Sequence, residues 1–145
     1  MITRRKMALL LPGLFSAGVA LDAFSAEDTS LPSAPYPFDK SPKRIPDHAE
    51  VRGILKGKLA TGEALEVHQT TLPVGTAPHP PHRHVHSEMW LVREGTVELT
   101  VNGGSYQLGP GGVGFVHSND EHGIKNVGTS PATYFVVAIG PGADT

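Results

Sequence analysis

The stretch HRHVHSEMWLVREG, residues 82–95, decides how this chain is read. His82, His84 and Glu88 fall within seven residues, the apolar run Met89-Trp90-Leu91-Val92 follows, and Gly95 closes the segment. The stretch is expected to be a strand that carries metal ligands. Alternate side chains of a strand share one face, so the three groups converge if the chain stays extended or kinks once between them. Two neutral imidazoles and a carboxylate suit a borderline divalent metal. His86 has the same parity as His84, so alternation alone leaves a His84 and His86 pair open.

A metal held from this segment needs a ligand from another direction, and His122 in Asp120-Glu121-His122-Gly123-Ile124-Lys125-Asn126 is the candidate. It follows a Gly/Pro-rich turn and a short apolar strand, so a sheet folding back could set it beside His82 and His84. No cysteine is present, which removes disulfides, thiolate zinc sites, iron–sulfur clusters and a cysteine nucleophile. Any metal must be held by His and carboxylate.

The 145 residues suffice for one domain and an appendage. With 39% hydrophobic residues, 18% charged residues and a formal net charge of -2, the chain reads as a small soluble protein, and its charge argues against nucleic acid as a partner. Seventeen glycines and thirteen prolines indicate short strands joined by tight turns.

Residues 1–25 read as an export signal. Arg4-Arg5-Lys6 precedes the weakly apolar run Met7 to Leu21, in a pattern that resembles twin-arginine signals, and Ala23-Phe24-Ser25 offers small residues for cleavage. That run falls short of the ~20 apolar residues of a spanning helix, so removal is expected and no stable membrane insertion after it. The mature protein would be periplasmic or extracellular. Residues 26–50 form a proline-rich arm with Lys40, Lys43 and Arg44, unsuited to a regular helix or a central strand. The arm either wraps a neighbouring subunit or barrel edge, or is a solvated linker.

From Val51 the chain is β-compatible. Val51–Leu55, Ala64–Leu72, Met89–Val92, Thr96–Val101, Tyr106–Leu108, Val113–Val116 and Thr133–Ile139 are the expected strands, separated by turn residues. Strict alternation in Val97-Glu98-Leu99-Thr100-Val101 puts Val97, Leu99 and Val101 toward a core. Asn102-Gly103 marks a type I′ hairpin. Many short strands without a helical period indicate a sandwich or barrel.

At these residues the sequence resembles a known family. His82-x-His84-x3-Glu88-x6-Gly95 is similar to the first motif of the cupins, and Gly104-x5-Pro110-x-Gly112 followed by His122-x3-Asn126 is similar to their second. Gly112 stands where the family commonly has aspartate, and His117 where proline is frequent. The resemblance implies an all-β fold, the cupin double-stranded β-helix or jelly-roll-like barrel, over residues 51–145. It also implies one divalent metal ion per domain (Fe, Mn, Ni, Cu or Zn) held by His82, His84, Glu88 and His122, with one or two positions left for water or substrate. The family spacing, and only that, selects His82 and His84 over His86. Asn126 would be a turn residue and not a ligand.

Outside the ligands, the candidates for contact with a substrate are His86, Trp90 and His117. Trp90 shares parity with Glu88 and should point inward; His117 either lines the mouth or ends a strand; His79 reads as a surface residue, and His48 and His68 carry no argument. Two classes of function follow. One is a mononuclear metalloenzyme on a small oxygenated molecule, where the resemblance implies dioxygenase, decarboxylase or isomerase chemistry. The other is a module that holds a metal and a small ligand without turnover. A homodimer is the state the resemblance implies.

Overall fold

The computed structural model describes residues 30–47 and 49–145, so residues 1–25, expected to be an export signal, and His48 lie outside the described residues. Nine strands form two antiparallel sheets. They are β1 (Lys43–Arg44), β2 (Glu50–Lys58), β3 (Ala64–Leu72), β4 (Ser87–Glu94), β5 (Val97–Val101), β6 (Gly104–Leu108), β7 (Val113–Val116), β8 (His122–Asn126) and β9 (Ala132–Ile139). One sheet has the order β1-β2-β3-β9-β4-β7 and the other β6-β5-β8. Inward-facing side chains of both, among them Leu72, Trp90, Val97, Leu99, Val116 and Tyr134, make one core. This is the jelly-roll-like barrel that the sequence led us to expect.

Each expected strand is present. The alternation in β5 holds, with Val97 and Leu99 buried and Val101 packed against the core. Asn102 and Gly103 take φ of 46° and 84° and close the hairpin between Val101 and Gly104, as a type I′ turn requires. Gly95 ends β4 at φ 78°, and a Cβ there would come within 2.7 Å of the Ala132 Cα.

Two local readings are corrected. His82–Gly95 is not one continuous strand: β4 begins at Ser87, so Glu88 lies in the strand while His82, His84 and His86 lie in the loop before it. The cause is external pairing. His82 N–H donates to the His122 carbonyl and His122 N–H to that of His82, both at 3.0 Å, while Asn119 N–H donates to the His84 carbonyl at 2.8 Å. These bonds bind the loop to β8 and to the preceding turn. Second, β8 itself was absent from the expected strands; it forms by pairing Val97 to Val101 of β5 with Asn126 to His122. In the second motif Gly111 takes the left-handed conformation at φ 82°, and a Cβ on Gly112 would lie 2.8 Å from the Gly109 carbonyl.

The proline-rich arm covers a barrel edge. Ser30 bridges to Lys58, Leu31 N–H donates to the Lys58 carbonyl at 2.7 Å, and β1 pairs with β2 at the border of the larger sheet. An edge position is where a short segment between prolines can pair.

Candidate metal centre

The site lies where the loop before β4 meets β8. Residues opposite one another on paired strands share a face, so the register orders the concave side of the larger sheet in rows. One row holds Glu66, Ala138, Glu88 and Val116; the next His68, Val136, Trp90 and Gly114; the third Val51, Thr70, Tyr134 and Val92. Glu88 and Trp90 therefore point inward, as their parity indicates. Trp90 is 3% exposed and its ring centroid lies 5.5 Å from that of His122.

Donor atoms of His82, His84 and His122 all lie within 4.8 Å of one another, and the same holds for His84, His86 and Glu88. Glu88 joins the two groups. Its Oε1 is 3.4 Å from His84 Nε2 and 3.5 Å from His86 Nε2, and its Oε2 is 3.6 Å from His122 Nε2. Donors about 2 Å from a common ion stand roughly 3 Å apart, so the cluster is close to the spacing a metal requires.

Hydrogen bonds fix the ring orientations. His84 Nδ1–H donates to the His86 carbonyl and His122 Nδ1–H to that of Asp120, both at 2.9 Å. In each ring the proton sits on Nδ1 and leaves Nε2 as a lone pair turned into the cluster, the usual way an outer hydrogen bond sets a ligating tautomer. Nε2 of His84 and of His122 and Nδ1 of His82 are buried without a hydrogen-bond partner. Three orphaned nitrogens in one place are costly unless something electrophilic satisfies them. A divalent cation does so.

The electrostatics agree. Burial, helped by the neighbouring His79, His122 and His84, lowers the His82 pKa to about 4. Burial also lowers His122, against the bond to the Asp120 carbonyl, and lowers His86. The rings are thus held neutral, the state that binds metal. Burial raises Glu88, with His84 and His79 opposing, so desolvation outweighs the favourable neighbours of its ionised form.

His86 stacks on His84 with centroids 3.7 Å apart and planes 16° from parallel. Parallel rings direct their in-plane lone pairs along parallel planes, which suits a wall of the site better than a second ligand beside His84. His117 follows the end of β7, is exposed, and packs edge-on against Phe115 at 4.9 Å; it ends a strand. His79 is exposed but packs edge-on against His82, with ring centroids 4.3 Å apart.

A cavity of about 350 Å³ opens onto the cluster. Its wall includes Glu88, Trp90 and His122 and, beyond them, four residues the sequence reading passed over: Arg44, His68, Thr70 and Tyr134. Burial lowers His68, against Glu66 whose Oε1 stands 3.3 Å from its Nδ1. Burial raises Tyr134, against its hydrogen bond with Thr70, so the phenol stays protonated. The signal was available: His68 and Thr70 have the parity of buried Leu72, but polar residues alternating with Val67 and Gln69 do not reveal which side is inside.

Residues 68–138 match the family model described as a cupin domain. With the topology above, this match agrees with the cupin jelly-roll fold for the barrel. Among curated proteins, the L-ectoine synthases of Bordetella parapertussis and Bordetella bronchiseptica are 34% identical over 62 residues, which are 42% of this chain and 47% of theirs. The chain spans about half the length of these relatives. Among solved structures, an RmlC-like cupin from Shewanella frigidimarina superposes with a TM-score of 0.63 at 19% identity, covering 77% of this chain and 96% of that one. A predicted oxalate decarboxylase from Thermotoga maritima gives 0.59 at 18% identity, covering 74% and 99%. At these identities the structural likeness concerns the fold.

Proposed function

We propose that the protein is a mononuclear metal-dependent cupin enzyme, with dioxygenase-like or related chemistry on a small oxygenated molecule. His82, His84, Glu88 and His122 hold one divalent ion. The observation that carries this reading is the set of three buried, unpartnered nitrogens gathered around the largely buried Glu88 carboxyl. Three neutral nitrogens and one carboxylate leave a divalent ion net positive with open coordination, so when bound it supplies Lewis acidity or a place for dioxygen and a bidentate substrate.

The chain's own residues do the rest. Nδ1–H bonds hold His84 and His122 in the ligating tautomer. Trp90 and Ile124 give the cavity an apolar wall that limits water around a bound molecule, and the protonated Tyr134 hydroxyl beside Thr70 offers a donor to an oxygen of that molecule. His86 stacks on His84 beside the cluster. The relatives bear the names of enzymes that act on small molecules, an ectoine synthase and a predicted oxalate decarboxylase, which supports an enzyme over a passive carrier.

The test is oxygen consumption or product formation by Fe- and Mn-loaded protein on a panel of small oxygenated compounds. Turnover supports the enzyme; tight binding by calorimetry without turnover supports the alternative, a metal-dependent binding module. Arg4-Arg5 supports export of the folded protein through a twin-arginine route, which lets it load manganese or iron before it meets copper. Metal analysis of protein made with and without residues 1–25 tests this, and identical copper or zinc loading in both refutes it. For the homodimer, the support is an apolar outer face on the larger sheet, where Leu91, Val113, Phe115 and Ile139 are exposed. Light scattering decides between dimer and monomer.

A further inference from the structure

The geometry points to Arg44, delivered by the proline-rich arm, as the residue that anchors the carboxylate of a small acid in the metal cavity. This rests on the metal-site reading above and adds the ligand's chemical class. β1 pairs Arg44 with Val51, and Val51 pairs in turn with Thr70, which pairs with Tyr134. Opposite residues share a face, so Arg44 begins the row Arg44, Val51, Thr70, Tyr134 on the concave side of the sheet. It lines the same cavity as Glu88 and His122.

The cationic side chains around it already have partners, whereas the Arg44 guanidinium is not engaged in the same way. Lys43 pairs with Glu50 at 2.7 Å, Arg52 pairs with the same carboxylate at 3.0 Å, and Lys56 donates to the Thr145 carbonyl at 2.9 Å. The Arg44 guanidinium makes no hydrogen bond or ion pair with any described residue. Its charge nevertheless reaches inward, since it is among the influences that disfavour protonation of His68. Space is present beside it: Gly53, which follows Val51 on this face and pairs with His68, would meet nothing within 4 Å if it carried a Cβ.

Two carboxylates compete for the guanidinium. Glu66 is engaged with His68 at 3.3 Å, and Asp47 lines the same cavity at φ 45°, exposed to solvent. With the ion in place, the lining groups Arg44, Asp47 and Glu88 and a divalent cation sum to a net positive cavity, which favours an anion. Arg has the planar donor fork that meets a carboxylate with two parallel bonds. A cavity of about 350 Å³ is near the small end of ligand sites. The occupant is a short carboxylic acid whose acid group rests on Arg44 and whose reacting oxygen faces the metal end.

The experiment is calorimetry on metal-loaded wild type, Arg44→Gln and Arg44→Lys with acetate, succinate, glutarate, uncharged succinamide and inorganic phosphate. Metal content is measured in every sample. Wild type is expected to bind at least one of the acids, Arg44→Gln to bind it about tenfold more weakly or worse, and Arg44→Lys to recover part of the loss, with equal metal in all three. Equal binding by Arg44→Gln, equal binding of succinamide and succinate by wild type, preference for phosphate, or no binding of any acid overturns the inference. Loss of metal from wild type refutes the metal-site reading instead; the acid titrations are then run on metal-free protein and judged by the same criteria.

Discussion

Replacing Asn126 by Asp changes two hydrogens into lone pairs and little else, and it should be among the more destabilising isosteric changes in this barrel. Asn126 ends β8 and is 0% exposed. Its amide donates to the Leu72 carbonyl at 3.0 Å and to the Ser130 carbonyl at 2.9 Å, while its own oxygen accepts from Gly128 N–H at 2.9 Å. The side chain thereby joins the end of β3 to the turn that leads into β9. Ionised aspartate would set a buried charge against two carbonyl oxygens; protonated aspartate could serve only one of them. A buried group left without its partner costs about 1–3 kcal/mol, so the loss should be about 2–5 kcal/mol, with Tm down on the order of 10 °C. Urea unfolding in the presence of a chelator measures it without the stabilisation that bound metal adds. A variant within about 0.5 kcal/mol of wild type, the range of an ordinary surface change, would refute the reasoning.

Two further outcomes follow from the same geometry. Gly95→Ala combines a φ of 78° with a Cβ at 2.7 Å from the Ala132 Cα and 2.8 Å from the Pro131 carbonyl. Because backbone atoms cannot swing aside, urea unfolding should show a loss of about 2 kcal/mol or more, and a neutral variant would contradict the placement of that turn. Metal-free protein should lose stability as pH falls from the ordinary histidine value of about 6.5 toward 4. In that window the unfolded chain accepts protons that folded His82, held at about 4, and the likewise lowered His68, His86 and His122 refuse. Stability rises with pH wherever the unfolded state binds more protons. Glu88, raised by burial, acts in the opposite sense but is one group against four; urea midpoints across this range that are flat or improve on acidification would refute the balance.

Where local physics decides, the sequence was readable. Asn102-Gly103 can hardly be anything but a tight hairpin, and the alternation of Val97, Leu99 and Val101 reads directly as an inward face. The ligand candidates were also readable, since His82, His84, Glu88 and His122 do come together. What escaped were features made by distant partners. His122-Gly123-Ile124-Lys125-Asn126 is a poor strand by propensity and exists because β5 and His82 both pair with it. The histidine segment looked like the start of a strand because parity cannot separate an extended strand from an extended loop bonded elsewhere. Likewise, the proline content of the arm concealed Lys43–Arg44 as an edge pair, and with it Arg44 as part of the cavity.

The most direct test of the central claim is metal content. Wild type, His84→Ala and Glu88→Ala are exposed to one divalent metal, freed of excess by dialysis, and assayed for bound ion, with circular dichroism confirming the β fold. Wild type should retain about one ion per chain; the two replacements remove a buried nitrogen donor and the only carboxylate that, among the described residues, groups with the cluster. Both folded variants should lose stoichiometric metal. Full retention in either, or none in wild type, would contradict the account.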